Sequence, residues 1–258
     1  MTLLRTTTCL SLLIAACFVA AGCGTDDEPL ARVRVLQVAP SLTLQGAPGP
    51  AAVSGARPTG QVRASLTTVG AGSEPPLMQV PDVGSIAVGA PNRGSLVNGL
   101  QLPESGPDWV TWDSPLGRSP NRADRRWGTD RLLAFLIACL RDYRLANPGA
   151  PPVLIGDLSR PYGGPFGSDF GGLGHASHQN GLDADVIYPR LDRAPLPPGS
   201  VADVDRALAQ DLVNRFVAAG AQFAFVGRHV GLGGPPSIVQ AIAHHDDHVH
   251  VRIANAVR

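Results

Sequence analysis

The chain has 258 residues, with 21 basic and 21 acidic side chains and a pI near 7.0, and every basic residue is an arginine. Such a balance gives no reason to expect a nucleic-acid partner, because counterion-release binding needs a cationic face. Thirty glycines and 24 prolines predict that part of the chain does not pack, while a hydrophobic content of 44% predicts that the rest does, as one domain with a tail.

Residues 1–22 carry a single charge, Arg5, and from Cys9 to Gly22 they are apolar except for Ser11. At about 1.5 Å per residue this stretch is too short for a bilayer and matches the apolar region of a signal peptide. It runs into Ala20-Ala21-Gly22-Cys23, which resembles the cleavage box of a bacterial lipoprotein precursor. That resemblance implies cleavage before Cys23, a lipid anchor on its thiol, and a membrane-attached protein facing the periplasm or cell wall. An ordinary secretory signal is the alternative, and both export the chain. With Cys9 and Cys17 removed and Cys23 lipidated, only Cys139 remains, so no intramolecular disulfide is expected.

Residues 23–90 are rich in Ala, Gly, Pro, Ser and Thr and contain no aromatic residue, which predicts a flexible tether, with a small β-module as the alternative. All tryptophans and tyrosines lie beyond it, so the folded domain is expected over 91–258. Thr129 is placed to cap a first helix with apolar residues at Leu132, Leu136, Cys139, Leu140 and Tyr143, stopped by Asn147-Pro148-Gly149. A second helix is expected from near Asp203 to Gly220, with Leu208, Leu212, Val213, Phe216 and Val217 on one side. Strands are expected at Pro152–Ile155, Leu182–Tyr188, Phe223–Val226 and His248–Ile253. Their irregular alternation with helices predicts an α+β fold around a mainly antiparallel central sheet with flanking helices.

Two clusters hold six of the seven histidines: Gly174-His175-Ala-Ser-His178-Gln-Asn-Gly-Leu-Asp183-Ala-Asp185 and His244-His245-Asp-Asp-His248-Val-His250-Val-Arg252. On strands, His248, His250 and Arg252 share one face and Asp183 and Asp185 share another, with valines, Leu182 and Ala184 opposite them. Neighbouring strands of this kind gather carboxylates and imidazoles into one patch, which is tolerable only with a cation or extensive hydrogen bonding. Two nitrogens plus a carboxylate is a zinc donor set that leaves a position for water. A passive metal-scavenging tract is the alternative for the histidine-rich end. No lysine serves a phosphate loop, no Gly-x-Ser-x-Gly turn is present, and Cys139 lies on an apolar helix face, so acyl-enzyme chemistry lacks a nucleophile.

At these residues the sequence resembles the penicillin-insensitive murein endopeptidases. These belong to a wider set of zinc peptidases with the lysostaphin-type and D-alanyl-D-alanine metallopeptidases and the hedgehog domains. The segments carrying it are Val153-Leu-Ile-Gly-Asp157, the His175 to Asp185 string, and His245-x-x-His248-x-His250-Val-Arg. The resemblance implies a zinc site on the sheet face, with His178, Asp185 and His250 as ligands and His175 as a secondary ligand. It implies that His248 stabilises or protonates the transition state with His245 as its neighbour, and that Asp183 orients a ligating imidazole. It further implies a peptidoglycan substrate cut at a D-alanyl cross-link without an acyl-enzyme. A D,D- or L,D-carboxypeptidase and a non-catalytic zinc- or wall-binding lipoprotein remain the alternatives.

Overall fold

The computed structural model describes residues 77–168 and 174–256, all within one compact unit that spans Thr68–Arg258. The expected signal segment, Cys23 and the tether as far as residue 76 lie outside the described residues.

In chain order the strands are β1 (Ile86–Ala90), β2 (Arg93–Val97), β3 (Leu100–Gln101), β4 (Trp109–Thr111) and β5 (Trp127–Gly128). Helix α1 (Asp130–Ala146), β6 (Val153–Ile155), β7 (Asp183–Ile187) and α2 (Arg206–Ala218) follow. The chain closes with β8 (Ala221–Gly227), β9 (Val239–Ile242) and β10 (His248–Ile253). A six-stranded sheet has the order β4-β6-β7-β10-β8-β9. Its three central pairings are antiparallel, whereas β4–β6 and β8–β9 are parallel. The α+β expectation with a mainly antiparallel centre agrees with this sheet; the two parallel edges were not foreseen.

The expected boundary at Pro91 falls inside a β-hairpin. β1 lies in the segment read as tether, yet it pairs with β2 from Ile86↔Val97 to Ala90↔Arg93. Just upstream, the backbone N–H groups of Val83 and Ser85 each donate to Asp130 Oδ2 at 3.1 Å. Of β1 only Ala87 is buried. The strand is held by backbone pairing rather than by an apolar stripe, so composition does not reveal it.

Both helices begin at side-chain caps. Thr129 accepts from the Leu132 N–H at 3.1 Å, satisfying one orphan donor of α1. Asp205 does the same for Leu208 at 3.1 Å, so α2 starts at Arg206. The residues around Asp203, expected to open this helix, instead form a short 3-10 turn, Val201–Asp203. Leu132, Leu136, Leu140 and Tyr143 of α1 join Leu212, Val213 and Phe216 of α2 in one core with Ala184, Val186, Val249 and Val251 from the sheet. Burial of each large apolar side chain contributes about 1.5–3 kcal/mol relative to leaving it in water. Period-two alternation then sends the intervening residues of β7 and β10 to the opposite face. No helix among the described residues is long and apolar enough to cross a membrane.

Candidate metal centre

β7 and β10 are neighbours in a register that sets His250 opposite Asp185 and Arg252 opposite Asp183. The two strand segments therefore bring their polar residues to one face, as alternation predicts. A loop delivers the other two imidazoles. His178 adopts a left-handed backbone, φ 67°, between Gly174 at 72° and Gly181 at 74°. For a residue with a Cβ this conformation is strained, and here it drives a fully buried ring beneath the sheet face.

Asp185 is the hub. Its Oδ1 lies 3.3 Å from His178 Nε2 and 3.6 Å from both His248 Nε2 and His250 Nδ1; its Oδ2 lies 3.6 Å from His175 Nδ1. Each of these rings commits its other nitrogen to an acceptor. His178 Nδ1 meets the Leu158 carbonyl at 2.5 Å, and His250 Nε2 meets Asp183 Oδ1 at 2.6 Å. His175 Nε2 meets Asp157 Oδ2 at 2.8 Å, and His248 Nδ1 meets Asp247 Oδ1 at 2.7 Å. A carbonyl or carboxylate oxygen only accepts, so those nitrogens carry the N–H. In the neutral rings the inward nitrogens then present lone pairs to a carboxylate. His178 Nε2 and Asp185 Oδ1 are buried without any hydrogen-bond partner. Converging lone pairs are tolerable only around a cation, and the donor set of imidazoles and one carboxylate fits a zinc-like ion.

The local field points the same way. Burial works to lower the pKa of His178, but Asp185, backed by Asp183 and Asp157, holds it up at about 9. Burial pushes His250 down to about 4 against its hydrogen bond to Asp183, which leaves its Nδ1 lone pair available near neutrality. Burial also opposes a charged His248, yet Asp185 and Asp247 raise it, while burial and the His248 charge lower His245. Asp185 is driven well below the usual carboxylate range by His178 and His248 in spite of its burial. The site attracts positive charge that a proton or a metal ion can supply.

The structure gathers His175, His178 and Asp185 most tightly, with one ligand atom of each within 4.8 Å of the others. His175 thus stands as close to the hub as His250 does. His248 and Asp183 border the same centre, whereas His245 stands back, its ring 4.7 Å from that of His248 and its Nδ1 on the Ala243 carbonyl. Sequence reasoning assigned no role to Asp157, Arg125 or Asp247. Asp157 ends the Val153-Leu-Ile-Gly-Asp157 segment, and its burial with Arg125, whose Nε donates to Asp157 Oδ1 at 2.7 Å, depends on a contact between distant stretches. Asp247 was legible as the neighbour of His248. Gly227 in β8 has a positional reason too: a Cβ there would fall 2.5 Å from the His245 carbonyl oxygen, so only glycine lets the histidine loop lie against the sheet. The centre opens into a cleft of about 720 Å³, bordered by Asn92, Ser114, Phe225, Ile242 and Arg252 among others.

This donor set at the foot of a cleft defines a candidate metallohydrolase. A family model described as penicillin-insensitive murein endopeptidase matches residues 87–222, more than half of the chain, and the chain belongs to that family. It is 38% identical over 96 residues to a penicillin-insensitive murein endopeptidase of Escherichia coli O1:K1 / APEC, across 36% of this chain and 31% of the relative. The counterpart from Klebsiella pneumoniae subsp. pneumoniae is 35% identical over 103 residues, across 39% of this chain and 32% of the relative. The matched region spans about a third of the length of these curated relatives. The family match ends before β10, so His248 and His250 lie beyond it.

Proposed function

We propose that this chain is a zinc metallo-endopeptidase that hydrolyses D-alanyl cross-links in peptidoglycan. The observation that supports it best is the convergence of imidazole lone pairs on the buried Asp185 carboxylate at the foot of a cleft. Membership of a family described as murein endopeptidases supplies the substrate class.

His178 through Nε2, Asp185, His250 through Nδ1 and, in a secondary place, His175 through Nδ1 would hold the ion. Zinc bound there supplies Lewis acidity for the scissile carbonyl and an acidified water. Asp183 fixes the His250 ring and Asp157 the His175 ring, each by accepting its outer N–H. Asp247 orients His248 so that Nε2 points inward, where it takes a proton and returns it to the departing amine. His245 stands behind His248 as its proton partner. No side chain of the chain forms an acyl-enzyme in this scheme, so penicillin has nothing to acylate. A leader cleaved before Cys23, lipid on that cysteine and a tether would hold the domain beside its polymer in the periplasm.

Purified peptidoglycan incubated with the chain and read by mass spectrometry tests the proposal. Loss of cross-linked dimers that a chelator blocks and penicillin does not is the expected result. Release of terminal D-alanine without loss of dimers would assign a carboxypeptidase. Unchanged dimers with one zinc per chain would assign a binding module.

A further inference from the structure

We propose that the guanidinium of Arg252 holds a carboxylate on the carbon that bears the departing nitrogen, so that the cleft selects cross-links whose carboxyl at that carbon is free rather than amidated. The inference rests on the endopeptidase reading and deepens it.

Arg252 follows His250 by two residues on β10, so the two side chains share the metal-bearing face at a spacing of about 6.8 Å along the strand. Its Nε donates to Asp183 Oδ1 at 2.6 Å, and its guanidinium carbon lies 5.6 Å from the centre of the Phe225 ring. These two contacts fix the plane of the group while leaving its side chain 16% exposed along the cleft. Among the described residues, neither terminal nitrogen has a hydrogen-bond partner. The other arginine bordering the cleft differs: Arg125 is 1% exposed and pairs with Asp157 through both Nε and Nη2. Arg252 is therefore the cleft cation with donors to offer.

The chemistry of the proposed substrate places an anion there. When the amine of a cross-link sits on a carbon that also bears a carboxyl, only three bonds separate that carboxyl from the scissile carbonyl carbon, a span within about 4 Å. A carbonyl at the His250 end of the face thus leaves the carboxylate within reach of a guanidinium further along the same strand. The opposite end of the face carries Asp247 beside His248, which repels an anion. A planar guanidinium offers a carboxylate paired N–H donors with charge assistance, and a carboxamide forfeits that charge.

The test uses the full-length, zinc-loaded chain and two synthetic cross-linked peptides that differ only in a free or amidated carboxyl at that carbon. The expected wild-type preference for the acid is at least tenfold in kcat/KM, carried by KM. In Arg252→Gln that preference falls to near one with zinc content unchanged, and Arg252→Lys restores part of it. Equal wild-type rates on both peptides overturn the proposal. So does an Arg252→Gln enzyme that slows on both by one factor and keeps the preference, since that is the signature of support through Asp183 alone. If the wild type cuts neither peptide, the endopeptidase reading has failed. Calorimetric binding of the amine-side fragment then decides Arg252 separately: acid favoured over amide in wild type but not in Arg252→Gln sustains it, and equal binding of the two by the wild type overturns it.

Discussion

β7 and β10 carry two opposite solutions on two faces of one backbone. On one face Ala184, Val186, Val249 and Val251 are buried against the helices and need nothing more. On the other, Asp183, Asp185 and His250 are nearly as buried, yet His178 Nε2 and Asp185 Oδ1 lack a hydrogen-bond partner. The difference teaches that burial alone does not tell core from site. A packed apolar face is complete in itself, whereas a buried polar face with uncompensated lone pairs is completed from outside. Under the proposed function, stability rests on the first face and chemistry on the second, and mutation should separate the two.

The largest effect is expected from removing the hub. Asp185→Asn replaces the carboxylate with a neutral amide of the same shape, and bound zinc measured by plasma emission should fall from one per chain to near zero. The loss of affinity should exceed the roughly 10–100-fold known for removing a group that merely orients a ligand. The melting temperature of the metal-free protein should fall near neutral pH, because Asp185 holds the proton on the buried His178 and its loss leaves that ring without its partner. Stoichiometric zinc in this variant would place the ion elsewhere. His248→Ala comes next, with turnover on peptidoglycan reduced by about 10²–10⁴-fold and zinc retained; loss of the metal instead would make His248 a ligand. On the apolar face the pattern inverts. Leu136→Ala should cost about 2–5 kcal/mol in denaturant unfolding while the folded fraction keeps its zinc. A Leu136→Ala protein that is stable but metal-free would dissolve the distinction between the faces.

How much of this the sequence discloses follows the same division. Period-two patterning in Leu182–Tyr188 and His248–Ile253 was enough to sort both strands into apolar and polar faces, and each appears as a strand in the sheet. The cap at Thr129 and the stop at Asn147 were legible because helix ends carry local hydrogen-bonding signals. What local patterning does not carry is pairing between distant segments. β4 and β9 are short edge strands paired in parallel with β6 and β8, while β1 pairs with the adjacent β2 and buries only Ala87, too little apolar patterning to mark it. The second helix is expected from near Asp203, and the fold instead caps it at Asp205, which accepts from the Leu208 N–H. In the site, strand alternation sets Asp183 with Asp185 and His248 with His250, whereas roles for His175 and His178 come from the family resemblance. Asp157 and Arg125 were not legible, since their roles exist only once a loop, a strand end and a 3-10 turn meet.

The smallest effect is expected at Cys139, and it tests the boundary between the faces from the quiet side. The thiol sits on α1, 2% exposed within the core, and burial pushes its pKa up to about 12, with Asp142 acting in the same direction. A nucleophile or metal ligand needs the thiolate, which is almost absent at pH 8 under these conditions. Alkylation by iodoacetamide, followed by peptide mass spectrometry, should therefore modify Cys139 only after denaturation. Cys139→Ala should leave zinc content and turnover at wild-type values and cost about 1 kcal/mol of stability, the size typical of a small core truncation. Modification of the native protein, or a turnover loss of tenfold in the variant, would mean that chemistry reaches through the sheet to the helices. The separation of stability from function by face would then fail at the residue where it is expected to be cleanest.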